Sequence, residues 1–515
     1  MNPAPYSAAD LSVIIPTLGR DLHLLEEILG RLRAQTLASP VSLVWDADQP
    51  PPAVWAARCA ERFGCCLLRH PHNLGLAAAR NTGVRHLTTR LGLFLDDDIL
   101  PEPGTVAGIL AFHERFPATA AMQAGKVTWQ GGACQSPLTD WFESRGNWQL
   151  LSASPDLAPL SSFAGGFTSF KAEAFAGLAF DESFRRYGCE DVEFGHRFFA
   201  AGGSLRFTAG VVGIHHKPLS LGAYVRDHVA AGYSKGVMAE LHPDLCFRAE
   251  ELLNAWRRRY PNERLEELLA LTAFTLEDES RSAERDFCLG LVTEQALQRG
   301  FLDYFAEKYP DFGAALPEGD RPLAAPPDLD GLCRLLPEFA PLLVEQARAC
   351  ADPAGKTALL HRAAELAPGY ALPRLELARL HPETELATLR RFFTDQVGRL
   401  DGRTANAVRR ALGETLPLVS GERSPRDLYL ELAEHCGDWP QQKIAGRCLE
   451  ILAAEPGFVS AYLPLIEQTV GNDPAHARVW LSQARHFLQF RPLAEREARR
   501  RQLDSLAQQL KETLP

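Results

Sequence analysis

The sequence predicts an α/β domain with a mostly parallel sheet, followed by an all-helical region. In about the first 240 residues, short β-rich runs alternate with amphipathic helical patterns. Each β-rich run is apolar on both faces, as expected for strands covered by helices on both sides. Beyond about residue 245 the strand-like runs disappear, and Leu, Ala, Glu and Arg recur with helical spacing. We therefore expect three units, at 1–245, 246–320 and 321–515.

The elements of the first unit follow one another in a regular β-α-β-α order. Strands are predicted at 11–16, 41–46, 65–70 and 91–96, and helices at 21–35, 52–63 and 75–88. Pro103 is suited to the first turn of a further helix through Phe116. This order predicts right-handed crossovers, with ligands bound beyond the carboxyl ends of the strands.

The helical region contains one candidate linker and one weak internal repeat. The linker is the proline- and glycine-rich stretch 316–331. The phrases at 363–380 and 451–468 both place Pro-Gly-aromatic between two helical patterns, which resembles the joints of tetratricopeptide repeats. Their starts lie 88 residues apart (451 − 363), which is not a multiple of the repeat length of about 34 residues. We expect a degenerate helical-repeat region.

Composition limits the class of protein. A chain of 515 residues is too long for one core, and 46% hydrophobic and 23% charged residues are ordinary for soluble proteins. A net charge of −11 argues against a general nucleic-acid binder. The sequence has neither a signal-peptide pattern nor a long uninterrupted apolar stretch, so no membrane span is expected. Its eleven scattered cysteines indicate reduced thiols in a cytoplasmic protein.

The stretch "GLFLDDDILPEPG" (92–104) places Asp96, Asp97 and Asp98 directly after an apolar run. Three adjacent carboxylates at the end of a buried strand repel each other unless a cation lies among them. Mg²⁺ and Mn²⁺ prefer such oxygen ligands, and Mg²⁺ takes one or two carboxylates together with substrate phosphates. The alternative is a solvated acidic turn that caps the following helix.

Three further stretches carry candidate site residues. They are "HNLGLAAARNTG" (72–83), "FDESFRRYGCEDVEFGHRFFAAGG" (180–203) and "GIHHKP" (213–218). The first holds Arg80, the second holds Glu190 and Asp191 in an apolar, glycine-rich setting, and the third holds two adjacent histidines. Taken singly, Arg80 could be an ordinary surface arginine and the histidines ordinary polar residues.

Together and in this order, these stretches resemble the family-2 glycosyltransferases of the GT-A fold, over about residues 11–218. The most similar parts are "VIIPTLGR", "NLGLAAARNTG", "LFLDDDILPEPG" and "FDESFRRYGCEDVEFGHR". The last is also similar to the corresponding segment of chondroitin polymerases and β-1,4-galactosyltransferases. The resemblance implies a Rossmann-like GT-A domain that transfers a sugar from a nucleotide sugar, with inversion at the anomeric carbon.

The resemblance also implies a Mn²⁺ or Mg²⁺ site in the DxD-like run. Asp98 would hold the metal, and Asp96 would lie near both the metal and the ribose. Asp97 could substitute for either, because three consecutive aspartates leave the register open. His215 or His216 would supply the third protein ligand.

The implied catalytic base is Asp191, with Glu190 holding an acceptor or donor hydroxyl. A positioned carboxylate suits this role because the acceptor must lose a proton during transfer. Arg197 matches an arginine six residues after the aspartate in the family, and its alternative is a charge on the helix surface.

At the nucleotide end, Pro16 is the last residue of the first predicted strand and Thr17 follows it, and Thr17 matches a position that contacts the base in relatives. The family usually reads Asp-Asp after the second strand, whereas this chain has Asp46 and Asp48 around an alanine. The second acid of the family pattern is thus missing from its usual place. Uridine is still the expected base, with guanosine and thymidine left open. Arg80 would neutralise the diphosphate or pair with the carboxylates at the sheet edge.

Two loops are predicted to line the site. "FAGGFTSFKAEAF" (163–175) would form the wall between donor and acceptor, where glycines allow close backbone approach. The aromatic stretch 139–151 could be an acceptor loop, in which Trp141 and Trp148 either stack on a sugar or simply pack. The QxxRW signature of processive membrane-bound polymerases is absent after the Glu-Asp pair.

The helical region is expected to select the acceptor or to mediate homodimer formation. Helical repeats offer concave surfaces suited to peptides, so a protein or peptide acceptor is the leading expectation. A polysaccharide, a lipid-linked glycan and a small metabolite stay open. A nucleotidyltransferase is a competing class, but no GxGTR-like loop is present. A non-catalytic scaffold is the other, and the intact carboxylates count against it.

Overall fold

The computed structural model describes most of the chain. The continuous stretches are 5–36, 38–117, 121–143, 163–175, 177–200, 203–243, 262–277, 282–316, 328–396, 440–454, 459–470 and 493–512, with isolated positions at 252–256, 404–413, 432 and 477–488.

An eight-stranded sheet forms the N-terminal domain, in the order β3-β2-β1-β4-β7-β6-β8-β5. The strands are β1 (Leu11–Thr17), β2 (Val41–Trp45), β3 (Cys65–Arg69), β4 (Leu91–Leu95), β5 (Ile99–Pro101), β6 (Ala121–Thr128), β7 (Phe167–Lys171) and β8 (Ser204–His215). The four strands predicted from the sequence are confirmed, each beginning at the expected residue.

Strand directions determine which loops meet. Parallel pairs join β1 to β2, β1 to β4, β2 to β3 and β6 to β8. Antiparallel pairs join β4 to β7, β6 to β7 and β5 to β8. Because β7 runs against β4, its first residue, Phe167, lies opposite Leu95, the last residue of β4. The predicted mostly parallel sheet is confirmed, with β7 and β5 as antiparallel additions.

Helices cover both faces of this sheet. They are α1 (Leu22–Gln35), α2 (Ala53–Phe63), α3 (Leu76–Arg85), α4 (Thr105–Arg115), α5 (Pro137–Glu143) and α6 (Glu190–Ala200). Along β1, Val13 and Ile15 belong to one buried cluster, whereas Ile14 belongs to another on the opposite face. The expectation for Pro103 is wrong: α4 begins at Thr105, after Gly104 at a φ of 90°, so the proline precedes the first turn.

The rest of the described chain is helical, as predicted beyond residue 245, and the first of these helices precedes that boundary. It contains α7 (Leu221–Leu241), α8 (Asn262–Glu277), α9 (Ser282–Lys308), α10 (Pro310–Ala315), α11 (Leu329–Leu335), α12 (Ala340–Ala349), α13 (Pro353–Leu366), α14 (Ala371–Leu380), α15 (Pro382–Gln396), α16 (Gln441–Ala454), α17 (Tyr462–Thr469) and α18 (Leu493–Glu512). None of the helices that the structure describes is long and apolar enough to cross a membrane.

Buried clusters connect the sheet domain to the first helices of this region. One cluster joins Leu138 of α5 and Tyr224 of α7 to Leu289 of α9. Another joins Phe305 of α9 to Leu332 of α11, on the two sides of the predicted linker. The linker's centre, 317–327, lies outside the described residues. The predicted domain boundaries at 245 and 320 stay predictions.

The first of the two similar segments, 363–380, contains the joint between α13 and α14, which pack against each other. In the second, the Pro-Gly-Phe joint lies outside the described residues, between α16 and a short turn before α17. The tetratricopeptide-like repeat therefore stays a prediction.

Candidate active site

The three aspartates lie where β4 ends, and each side chain has a different partner. The backbone amide of Asp96 donates to Gly166 O (2.8 Å), and Ile99 N donates back to Asp96 O (3.2 Å). This turn directs Asp96 towards Arg80, Asp97 towards a threonine of β1 and Asp98 towards a histidine of β8. The three aspartate side chains therefore contact three different elements, and they do not form one solvated acidic turn.

Arg80 of α3 is the centre of the site, and its side chain is 1% exposed. Its Nη2 lies 3.3 Å from Asp96 Oδ1, and its Nη1 lies 2.5 Å from Asp191 Oδ1 and 3.3 Å from Glu190 Oε1. The guanidinium also lies 5.4 Å from the centre of the Phe180 ring. One buried cation thus joins the end of β4 to the beginning of α6. The alternative role weighed for Arg80, pairing with the sheet-edge carboxylates, is observed.

Burial and mutual repulsion perturb the carboxyl groups in this cluster. Burial, assisted by the charge of Asp191, raises the pKa of Glu190 to about 7. Burial also raises the pKa of Asp96, although Arg80 acts in the opposite direction. Glu190 Oε2 and Arg80 Nε are buried and have no hydrogen-bond partner among the described residues. The cluster therefore contains one carboxylate oxygen and one guanidinium nitrogen that could bond to a ligand.

Glu190 and Asp191 are the first two residues of α6, so they lie at the positive end of its helix dipole. Two residues with positive φ, Gly188 (96°) and Cys189 (69°), precede them. Cys189 O accepts the hydrogen bond from Glu193 N (2.9 Å) that begins the helix. The unusual backbone at 188–189 turns the chain so that both carboxylates face Arg80.

Two glycines ahead of β7 let the backbone approach these side chains. Gly165 N donates to Asp191 Oδ2 (2.9 Å). A Cβ at Gly165 would lie 2.6 Å from the guanidinium carbon of Arg80, and one at Gly166 would overlap the Asp96 carboxylate. The close approach predicted for this stretch is confirmed, and it places backbone directly between Asp96 and Asp191.

His215 and Asp98 face each other at the other side of the run. His215 Nε2 lies 3.2 Å from Asp98 Oδ1, and the imidazole packs on the Trp129 ring, with 4.1 Å between ring centres. His216 donates its backbone amide to Asp98 O (2.7 Å), and within the described part of the chain its ring forms no hydrogen bond or ion pair with the aspartate run. Burial opposes ionisation of Asp98, but the hydrogen bond and charge of His215, together with the charge of Lys217 and a backbone hydrogen bond, lower the pKa of the carboxyl.

A divalent cation fits the Asp98–His215 pair in the chemistry of its donors. A carboxylate oxygen and an imidazole nitrogen are adjacent there, and both are suitable ligands for Mn²⁺. Asp96 of the predicted ligand set is instead directed to Arg80. Among the residues that the structure describes, no three His, Cys, Asp or Glu side chains converge on one point. Two protein ligands would leave the remaining positions to substrate phosphates and water.

At the nucleotide end, Thr17 and Asp97 form a direct contact. Thr17 Oγ1 donates to Asp97 Oδ2 (2.5 Å) and accepts from Gly19 N (2.9 Å). Burial raises the pKa of Asp97 to about 6, even though the hydrogen bond from Thr17 lowers it. Pro16 lies in β1 opposite Val44. This corner is next to the Arg80 cluster because Asp96 and Asp97 are consecutive.

The two acids after β2 hold the turn that leads into α3. Asp46 is buried, and its carboxylate accepts hydrogen bonds from Leu74 N (2.8 Å) and Gly75 N (2.9 Å). It also lies 2.6 Å from His70 Nδ1. Asp48 is exposed and accepts from Asn73 N (2.9 Å). Both acids thereby help to position α3, and His70, the partner of Asp46, was not predicted from the sequence.

Arg197 and Trp141 have internal partners. Arg197 Nε donates to Glu193 Oε1 (2.6 Å) and Nη2 donates to Ala179 O (2.6 Å), so it stabilises α6 and the loop before it. The Trp141 ring packs edge-on against Tyr224, with 6.1 Å between ring centres, which is the packing role. Trp148 lies outside the described residues.

Residues 12–175 match the family model described as "Glycosyl transferase family 2". Two curated relatives, the pre-mycofactocin glycosyltransferases of two Mycobacterium tuberculosis strains, are 28% identical over 182 residues. That alignment covers 35% of this chain and 38% of each relative. The chondroitin synthase of Pasteurella multocida is 31% identical over 106 residues, which cover 20% of this chain and 10% of that protein. The chain thus matches well under two thirds of each relative's length.

Solved structures that are similar to this chain include a mannosyltransferase from Pyrobaculum calidifontis in complex with GDP-Man and Mn²⁺. It is 17% identical, with a TM-score of 0.34, over 80% of this chain and 88% of that one. A fragment of Staphylococcus aureus TarS is 13% identical, with a TM-score of 0.32, over 58% of this chain and 91% of that one.

Proposed function

We propose that this chain, whose N-terminal domain belongs to glycosyltransferase family 2 and has the GT-A fold, transfers a sugar from a nucleotide sugar to an acceptor nucleophile. The observation that carries the proposal is the Arg80 cluster. In this cluster, the single guanidinium of Arg80 contacts Asp96 of the aspartate run. The same guanidinium contacts Glu190 and Asp191, which lie about a hundred residues later in the chain.

The proposed reaction is a direct displacement with inversion. The acceptor oxygen forms a bond to the anomeric carbon while the bond from that carbon to the diphosphate oxygen breaks, and the electron pair leaves with the diphosphate. Asp191 accepts the acceptor's proton, because its carboxylate is 22% exposed and is held by Arg80 and Gly165 N. Glu190, with a pKa raised to about 7, is protonated in much of the protein near neutral pH and can donate a hydrogen bond to a sugar hydroxyl.

On the donor side, we assign metal binding to Asp98 and His215. A bound Mn²⁺ or Mg²⁺ would stabilise the negative charge of the departing diphosphate as a Lewis acid. Asp96 and Asp97 would orient the ribose and sugar, and Thr17 would hold Asp97 in place. Arg80 holds the donor-side carboxylate of Asp96 and the acceptor-side carboxylate of Asp191 at fixed positions relative to each other, because its guanidinium is bonded to both.

The donor base, the acceptor and the cellular location complete the proposal. A uridine diphosphate donor is proposed from the family resemblance alone. A hydroxyl on a protein, a peptide or a glycan is proposed as the acceptor, and the helical region is proposed to select it or to form a homodimer. A cytoplasmic location is consistent with the described cysteines, none of which forms a disulfide with another described residue.

The test is a donor panel. The purified chain is incubated with UDP-, GDP- and dTDP-sugars, with Mn²⁺ or with EDTA, and the released nucleoside diphosphate is measured. We expect one donor class to be consumed only with the metal.

We also expect Asp98→Ala to lose metal-dependent nucleotide binding while its melting temperature stays near that of the parent. Metal-dependent nucleotide binding equal to the parent's in Asp98→Ala would contradict the metal assignment.

A further inference from the structure

The loop that leads into α6 has a strained backbone. Gly188 and Cys189 have consecutive positive φ angles, and a non-glycine residue is uncommon in that conformation. Such backbone persists only where the surrounding structure imposes it. Because Glu190 and Asp191 follow at once, whatever holds this loop also determines where the two carboxylates lie.

One face of α7 contacts the loop backbone directly. Ser234 is 1% exposed, and its Oγ lies 3.3 Å from Arg186 O and 3.2 Å from Tyr187 O. The hydroxyl can therefore donate to either carbonyl. A Cβ at Gly188 would lie 2.9 Å from Ala231 Cβ, so the loop approaches α7 at contact distance.

Arg186 connects the same loop to both α7 and α9. Its guanidinium lies 3.5 Å from the centre of the Tyr233 ring of α7, and its Nη2 lies 2.8 Å from Glu307 Oε2 of α9. Tyr233 in turn packs edge-on against Tyr304 of α9, with 5.2 Å between ring centres. Arg186 thus gives the loop one contact with each of the two helices.

The two helices form a firm support because their backbones are in close contact. A Cβ at Gly232 of α7 would overlap the carbonyl of Leu297, and one at Gly300 of α9 would overlap the carbonyl of Val229. A second link lies further along α6, where Glu193 Oε1 is 2.9 Å from His242 Nε2 at the end of α7. The pair α7–α9 therefore contacts α6 and its leading loop at two separate places.

We propose that the α7–α9 pair fixes the loop that presents Glu190 and Asp191, and that Arg186 and Ser234 are positioning residues for these carboxylates. The inference rests on the proposed function for its catalytic meaning. Neither residue contacts Asp96, Asp97 or Asp98 in the described structure, so the donor side is independent of them. The first helices of the C-terminal region then belong to the catalytic unit.

The test uses the full chain with Arg186→Ala, Arg186→Lys and Ser234→Ala. Arg90→Ala is a matched control, because Arg90 also stacks on a tyrosine (Tyr6, 4.2 Å) and pairs with a carboxylate (Asp10, 2.9 Å), remote from the loop. Hydrogen–deuterium exchange of peptides covering 184–193 and 11–17 is measured for each protein. On the donor identified by the panel, kcat and the donor KM are measured.

The alanine variants are expected to exchange at least about tenfold faster in 184–193 and unchanged in 11–17, because only the loop loses its support. Their kcat should fall by about 10- to 100-fold with the donor KM nearly constant, since small displacements of reacting groups are costly. Arg186→Lys should recover part of both effects, because it keeps the ion pair.

Unchanged exchange in 184–193 in both alanine variants would overturn the inference, as would an equal rise in Arg90→Ala, which would show general destabilisation. Exchange needs no turnover. If no donor were consumed by the parent, the proposed function would fail, while the exchange data would still decide what holds the loop.

Discussion

At the scale of single residues, the site depends on how three carboxylates share one buried guanidinium. Asp96, Glu190 and Asp191 carry more negative charge than Arg80 can neutralise, and all three lie within 3.3 Å of it. The pKa of Glu190 is raised, first because the carboxyl group is buried and second because Asp191 carries a like charge. A proton on Glu190 relieves the repulsion between these carboxylates.

The raised pKa of Glu190 predicts how stability depends on pH. The folded state holds this proton up to about pH 7, whereas the unfolded chain releases it near 4.5. The folded state therefore binds more protons between these values, and the free energy of unfolding should fall as pH rises through that window. Glu190→Gln cannot titrate and should show a smaller fall. Urea unfolding of both proteins with EDTA checks this, and equal falls would contradict the assigned pKa.

Gly165 is predicted to tolerate no side chain. A Cβ there would lie 2.6 Å from Arg80 Cζ and 2.9 Å from Asp191 Oδ1, neither of which is a loose surface group. We expect Gly165→Ala to lose about 1–3 kcal/mol of stability from overpacking and to lose most of its turnover. Gly210→Ala is the control, because a Cβ at that position meets nothing within 4 Å. Chemical denaturation gives the stability difference, and equal behaviour of the two variants would refute the crowding.

At the scale of elements, the site is the meeting point of strand ends and helix beginnings. The carboxyl end of β4 supplies the aspartate run, the first turn of α6 supplies Glu190 and Asp191, and the end of β8 supplies His215. Antiparallel β7 brings Gly165 and Gly166 into the middle, because its beginning lies beside the end of β4. A fully parallel sheet would have carried this loop to the opposite edge.

The contact between α7 and α9 is predicted to be sensitive to added volume. A Cβ at Gly232 would overlap the backbone carbonyl of Leu297, and backbone cannot rotate away as a side chain can. We expect Gly232→Ala to cost about 1–3 kcal/mol of stability. Gly290→Ala on α9 has open space and should be neutral or slightly stabilising. Thermal unfolding of the two variants separates these outcomes, and a neutral Gly232→Ala would mean that the helices are further apart.

Sequence patterns predicted the parts of this structure that local chemistry determines. The strands at 11, 41, 65 and 91 are apolar runs bounded by turn residues, so their beginnings could be read directly. The direction of β7 could not, because the pairing of a strand is decided by partners distant in the chain. The partner of Arg80 was left open between a diphosphate and carboxylates for the same reason, since Asp191 is 111 residues away.

At the scale of the whole molecule, the sheet domain and the first C-terminal helices share buried side chains. Leu138 of the sheet domain packs in one cluster with Tyr224, Leu268 and Leu289. The composition changes near residue 245, yet packing continues across it, because a helical composition says nothing about which surface a helix covers. The helices beyond α11 form further buried clusters.

The most direct test of the central claim is the turnover of Asp191→Asn on the donor that the parent consumes, measured beside metal-dependent nucleotide binding. Asp181→Asn, which alters a surface carboxylate bonded to Ser183 N (2.9 Å), is the matched control. The account predicts a fall in turnover of about 10²- to 10⁴-fold in Asp191→Asn, with nucleotide affinity near that of the parent and the control unaffected. Turnover within a few-fold of the parent would contradict the assignment of Asp191 as the base.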